Sequence, residues 1–229
     1  MEKEIDGGSV LRLKPSQQSN EENSLEPQPK NVIKVVGICG SIRKNSYTYK
    51  VVELALRGAA EMGVATQLID LNQYELGFCT ADDKDYPADV FRLRKDVGEA
   101  QGIILGTPEY HGSFSGVLKN ALDLMSFDEF SQKVIGLVSV SAGAMGAMNA
   151  LTSLRTVGRT LHAWVVPQQV AIPNVYKVFG PDGEISDPKL KTRVLEVGQQ
   201  VARYSFLHHD KDVKQMLIQW EEASRIKKT

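Results

Sequence analysis

The chain lacks most of what marks a specialised protein. Its 229 residues hold two cysteines, Cys39 and Cys79, too few for a disulfide scaffold and not at the spacing a zinc site needs. No apolar run approaches the ~20 residues of a membrane-spanning helix. Charge of one sign is also missing: 27 Lys and Arg stand against 28 Asp and Glu, a net charge of -1. That balance argues against a nucleic-acid partner or an anionic membrane surface. There is no G-x-x-x-x-G-K-[ST] loop, no G-x-G-x-x-G turn and no G-x-S-x-G elbow, so the signatures of P-loop hydrolases, dinucleotide folds and serine hydrolases are absent. No internal repeat is visible. What remains, 42% hydrophobic and 24% charged residues, is ordinary globular composition.

The first 31 residues are compositionally separate. They carry Pro15, Pro27 and Pro29, no aromatic residue, and a polar run from Ser16 to Asn23. Such a stretch buries too little apolar surface to offset its ordering entropy, and a disordered tail is expected over 1–31. It has no continuous apolar core of a secretory signal and is too acidic for a transit peptide, so a cytoplasmic location is expected.

From Val32 the pattern alternates. Val32–Ile38 is a short β-branched run ended by glycine, a buried strand. Residues 46–62 follow with apolar groups at helical spacing, and 64–71 reads as the next strand. Helix candidates at 89–100, 115–126, 147–161 and 187–208 then interleave with strands at 102–106, 133–140 and 163–172, the last interrupted near Pro167. Strict alternation with apolar strands predicts an α/β fold, a flavodoxin-like doubly wound five-stranded parallel sheet in the order 2-1-3-4-5. The domain is expected over 32–209. A C-terminal amphipathic helical extension follows over 210–229, with Val213, Met216, Leu217 and Trp220 on one face, covering its own sheet or meeting another subunit.

Ligands of such sheets sit at the carboxyl ends of the strands, and three loops qualify. The first, Cys39 to Thr48, offers the hydroxyls of Ser41, Ser46 and Thr48, the guanidinium of Arg43 and the open amides of a helix start. Together these suit a doubly charged phosphate, although a Ser-capped helix with a solvated arginine has the same composition. The second, Thr107 to Ser115, joins Pro108, Glu109, Tyr110 and His111 into a stiff wall suited to a flat heteroaromatic ring. Glu109 and His111 also fit general acid/base catalysis. The third, Ser139 to Ala147, is built of small residues that permit close backbone approach, and tight strand–helix packing uses the same glycines. His208 and His209 fall at a helix end and are expected to face solvent.

Two motifs in register carry a resemblance. Gly40-Ser41-Ile42-Arg43-Lys44-Asn45-Ser46-Tyr47-Thr48 resembles the G-S-x-R-x-x-S-x-N motif of the NADPH-dependent FMN reductases, the flavodoxin-like quinone, azo and chromate reductases. Pro108-Glu109-Tyr110-His111-Gly112-Ser113, with Leu118-Lys119-Asn120-Ala121-Leu122-Asp123, is similar to that family's P-E-Y-N-x-S…L-K-N-A-x-D. The resemblance spans about residues 32–207. It implies that Ser41, Arg43, Ser46 and Thr48 hold the phosphate of FMN in a turn shared with Asn45 and Tyr47. It places Pro108, Glu109, Tyr110 and His111 along the isoalloxazine, and Ser141, Gly143 and Gly146 at the other edge. Thr48 and His111 each stand where the family has Asn.

The resemblance further implies an oxidoreductase that takes reducing equivalents from NADPH or NADH and passes them through FMN, in a ping-pong cycle, to a small-molecule acceptor: a quinone, a flavin, an azo compound or a metal oxyanion. No side-chain acid or base is required for it. It also implies a homodimer or homotetramer, joined through the helix bearing Lys119, Asn120 and Asp123. The choice between NADPH and NADH stays open: arginines such as Arg43 and Arg155 have the charge to attract a 2′-phosphate, but nothing in the sequence fixes their geometry. A non-catalytic electron carrier on the same fold is the alternative, against which the near-neutral charge argues. A flavin-free subunit is a third reading.

Overall fold

The structure, a computed structural model, describes residues 33–80 and 82–226. The expected tail, 1–31, lies outside the described residues. Five parallel strands, β1 (Lys34–Cys39), β2 (Ala65–Asp70), β3 (Gly102–Tyr110), β5 (Val134–Val140) and β6 (Trp164–Ile172), lie in the order β2-β1-β3-β5-β6. A two-residue strand, β4 (Ser113–Phe114), pairs antiparallel with the end of β3. With the parallel strands counted alone, this is the 2-1-3-4-5 order that the alternation implied.

Helices α1 (Tyr47–Ala60) and α6 (Pro188–His209) cover one face. On the other lie α2 (Ala88–Gly98), α3 (Gly116–Asp123), the single turn α4 (Phe127–Phe130) and α5 (Met148–Thr160). Both faces of the central strands are buried, so β1, β5 and most of β3 are near-continuous apolar runs, while the edge strands β2 and β6 carry Thr66, Gln67, Gln168 and Gln169. In β1, Val35 packs toward α1 and α6 while Val36 and Ile38 pack toward the opposite layer. Glycine dominates the α1/α6 side of the central strands. A Cβ at Gly37 would lie 2.6 Å from Val52 Cγ1, and one at Gly136 2.6 Å from Val201 Cγ2. The two helices also touch backbone to backbone: a Cβ at Gly58 would strike the Leu195 carbonyl, and one at Gly198 the Ala55 carbonyl.

Three details depart from the sequence reading. Strand β3 does not stop at Gly106. It runs on through Pro108 to Tyr110 and turns back through His111 and Gly112, at φ 52° and 77°, the positive pair of a two-residue hairpin. Proline is tolerated there because β1 pairs with β3 only as far as Gly106. In β6, a register shift opposite Ile135–Leu137 accommodates the interruption at Pro167. Arg155 clamps it, donating to Gln169 Oε1 (2.6 Å) and to the carbonyls of Val166 (2.9 Å) and Pro167 (3.0 Å). Its guanidinium is thus a structural brace rather than a surface cation. The C-terminal segment does form a helix, α7 (Lys211–Ile226), set off by the extended residue Asp210, whose carboxylate caps it through the amides of Asp212 and Val213. Met216, Leu217 and Trp220 stay exposed, so its stripe does not cover the sheet. Among the described residues no helix is long and apolar enough to cross a membrane.

Candidate functional site

The carboxyl ends of β1, β3 and β5 converge on one cleft of about 400 Å³, within the size range of small-molecule sites. Buried hydroxyls stitch the three ends together. The Gly40 amide donates to the Gly106 carbonyl (2.7 Å), and the Ser115 hydroxyl donates to the Gly40 carbonyl (2.6 Å). Ser115 also caps α3 by accepting from the Leu118 amide (3.1 Å), and its own amide donates to Thr107 Oγ1 (3.0 Å). Ser139 on β5 donates to the Thr107 carbonyl (2.9 Å). Thr107, Ser115 and Ser139 are all buried. Apart from the Ser115 cap on α3, nothing in their spacing marked these bonds, because the partners that join the strand ends are 8 to 75 residues away.

The first wall is the turn from Ser41 to Thr48. Asn45 adopts the left-handed conformation (φ 55°), and Ser46 caps α1 by accepting from the Tyr49 amide (3.3 Å). Among the described residues the amides of Lys44, Asn45, Ser46, Tyr47 and Thr48 donate to no group of the chain, and the Arg43 guanidinium makes no hydrogen bond or ion pair. The hydroxyl-bearing residues Ser41 and Thr48 are buried in the floor of the turn. Open amides at a helix N-terminus, hydroxyls and an unpaired guanidinium form an anion seat, and this donor set fits the phosphate of FMN. Cys39, directly beneath, is no nucleophile: burial pushes its thiol up to about 11, so it stays protonated at neutral pH.

The second and third walls are Pro108–Tyr110 and Ser141–Gly143. Glu109, a candidate acid or base, has another task. Helix α5 begins at Ala147 without a side-chain cap, and a Glu109 carboxylate oxygen accepts from the Ala150 amide in its first turn at 3.0 Å. The two walls are therefore pinned to each other by a charged cap. The loop after β5 is fixed from beyond: Val175 and Asn174 donate their amides to the carbonyls of Ser141 (3.0 Å) and Gly143 (3.1 Å).

Of the thirteen residues the sequence singled out, eleven line this cleft. His111 and Gly146 do not: His111 occupies the exposed hairpin turn and Gly146 a positive-φ position (82°) before α5. Lys44, Val140, Ala142 and Val175 line it without having been singled out. Val175 follows β6, and no local pattern marks it. Lys119 and Asp123 form an ion pair on α3 (2.7 Å), while Asn120 donates to the Gly77 carbonyl (3.0 Å), so none of the three enters the cleft. His208 stacks on Trp164 (5.1 Å between centroids), and His209 lies 3.2 Å from the Ser205 carbonyl, with its pKa lowered chiefly by burial. Both are half-buried rather than solvent-facing.

Comparison with known proteins agrees with this geometry. The solved FerB of Paracoccus denitrificans, described as a flavoenzyme NAD(P)H:(acceptor) oxidoreductase, shares the fold at a TM-score of 0.63 and 21% identity, over 77% of this chain and 99% of that one. An NADPH azoreductase of a Bacillus species is 34% identical over 153 residues, 66% of this chain and 82% of its own. An FMN-dependent NADPH-azoreductase of Staphylococcus aureus is 33% identical over 174 residues, 73% and 92% of the two chains. The family model described as NADPH-dependent FMN reductase matches residues 33–177, a span that contains all three walls of the cleft. With an anion seat at the first β-strand, a flat-walled cleft beside it and this breadth of similarity, the chain belongs to the NADPH-dependent FMN reductase family.

Proposed function

We propose that this NAD(P)H-dependent, FMN-using oxidoreductase seats its flavin in the cleft between the β1–α1 turn and the ends of β3 and β5, and delivers electrons to an electron-poor aromatic acceptor. The observation that carries the assignment is the set of unpartnered amides from Lys44 to Thr48, with the free Arg43 guanidinium beside them. When bound, FMN supplies the redox chemistry, exchanging electron pairs with a nicotinamide donor and then with the acceptor.

The chain's own residues bind, orient and shield. The turn amides and the Ser41, Ser46 and Thr48 hydroxyls hold the phosphate oxygens, and Arg43 neutralises their charge. Pro108 and Tyr110 give the ring a rigid apolar flank, while Val140 and Val175 keep water from the floor. On the third wall the Ser141 and Gly143 amides are spent on the Ile172 carbonyl and the Ser141 hydroxyl, which leaves the Ala142 amide as a donor that would face a ring edge gaining negative charge on reduction. No step calls for a side-chain acid or base, which agrees with Glu109 being committed to α5.

Two relatives named azoreductases support an azo compound as acceptor, and the same flat opening suits quinones. A homo-oligomer is part of the proposal, supported by the exposed Met216, Leu217 and Trp220 of α7 and by Trp164. So is a cytoplasmic location, which suits the two free thiols.

Anaerobic titration of the FMN-loaded protein with NADPH, followed by reoxidation with an azo dye or a quinone, tests the reaction. Arg43→Ala tests the seat. Losing a charge-assisted hydrogen bond costs about 1.5–3 kcal/mol, so FMN affinity should fall about tenfold or more by fluorescence titration. Wild-type affinity in that variant places the phosphate elsewhere.

A further inference from the structure

The β1–α1 turn has two sides, and the flavin cleft uses one of them. On the other side, against the carboxyl end of β2, lies a second cleft of about 380 Å³. Arg43 and Lys44 border both clefts; Tyr49, Asp70 and Asn72 border only the second. It lies at strand ends, where parallel sheets take their ligands, and the flavin reading gives it no occupant.

Its chemistry is that of a phosphorylated nucleoside site. Two cations, Lys44 and Arg43, have side chains that pair with nothing among the described residues. Tyr49 contributes a half-buried aromatic ring to the wall. Asp70 spends Oδ1 on the backbone and side-chain amides of Asn72 (3.0 and 3.1 Å), while Oδ2 accepts from no described residue. That leaves one acceptor at the end of β2 for a ligand hydroxyl. Asp70 and Glu53 would repel a bare anion. A ligand that presents hydroxyls to the carboxylate and a phosphate to the cations satisfies both signs.

The two clefts also stand at a useful separation. Cys39 pairs with Asp70 on one side and Gly106 on the other. Two strand spacings, about 10 Å, therefore separate the end of β2 from that of β3. That gap lies within the reach of a dinucleotide.

We propose that the second cleft binds the adenosine 2′-phosphate end of NADPH, with the Lys44 side chain against the 2′-phosphate, Tyr49 against the purine and Asp70 on the free ribose 3′-hydroxyl. This deepens the flavin assignment and rests on it. The 2′-phosphate is all that separates NADPH from NADH, so Lys44 becomes a residue that sets donor choice.

The test uses the FMN-loaded protein, in which the first phosphate seat is filled, and two fragments without nicotinamide: 2′,5′-ADP and 5′-AMP, titrated calorimetrically. The expected result is about tenfold tighter binding of 2′,5′-ADP. Lys44→Gln should shrink that ratio to threefold or less while 5′-AMP affinity stays at the wild-type value. Tyr49→Ala should weaken both fragments alike. Lys44 is exposed and Tyr49 half-buried, and matching circular dichroism spectra confirm the fold of each variant. Equal affinities for the fragments, a ratio unmoved by Lys44→Gln, or displacement of FMN by 2′,5′-ADP overturns the proposal. A protein that takes up no FMN overturns the flavin assignment and this inference together. One that holds FMN yet ignores 2′,5′-ADP overturns this inference alone.

Discussion

Replacing Glu109 by Ala removes the only side-chain acceptor found among the described residues at the start of α5, since Ala147 and its neighbours supply none. Loss of an N-terminal capping side chain costs about 0.5–2 kcal/mol, and the favourable charge at a helix N-terminus is worth about 0.3–1 kcal/mol more. Glu109 is half-buried, so a total near 1–2 kcal/mol is reasonable. At ~2–4 °C per kcal/mol for a domain of this size, the melting temperature should fall by about 2–8 °C. The two cleft walls would also lose their tie, and FMN affinity should fall with stability. Glu109→Gln keeps an acceptor oxygen while losing the charge, and should forfeit about half as much. Thermal unfolding with FMN titration on the three proteins measures this. A catalytic Glu109 predicts something different: kcat falling by about 10²–10⁴ in both variants, with Gln no better than Ala and the melting temperature unmoved. That pattern would refute the capping role.

Two further outcomes follow from buried polar groups. Arg155→Met strips three hydrogen bonds from the irregular stretch of β6; urea unfolding should show a loss of about 2–3 kcal/mol, and the ratio of NADPH to NADH affinity should stay at the wild-type value. Lys133 is buried with its ammonium on the carbonyls of Val97 (2.7 Å) and Gly98 (2.6 Å), and desolvation lowers its pKa from 10.5 to about 8. Between pH 8 and 10.5 the unfolded chain then binds more protons at this site than the folded one, so stability contributed by this group rises with pH there, by at most ~1.4 kcal/mol per unit. Lys133→Met should flatten that rise relative to the wild type in melting curves taken across the window.

The strands and helices were legible because period and punctuation agreed. Gly37 to Gly40 closes β1, Ser46 starts α1, Gly63 ends it, and Asp187-Pro188 opens α6 as cap and first helical residue. The extension of β3 was hidden because Pro108 reads as a breaker, and only the absence of a β1 partner beyond Gly106 makes it admissible. The first anion seat was legible from local composition, since its hydroxyls and cation are neighbours in sequence. The second cleft was not, because Asp70 and Asn72 reach the turn only through the parallel pairing of β1 with β2. Glu109 shows the limit of residue-type reasoning. Its place in the motif was visible, but its partner is 41 residues away, and chemistry that looks catalytic in a list of letters turns out to hold a helix.

The glycine contact between α1 and α6 has a temporal consequence. The helix whose start forms the proposed flavin seat is pressed against a helix that begins at Pro188, so the chain must be synthesised past α6 before α1 gains that support. Closing so long a loop is slow relative to local folding. During translation the β1–α1 turn emerges before the helix that braces it, so a ribosome stalled upstream of α6 should carry a chain that holds flavin more weakly than the whole protein.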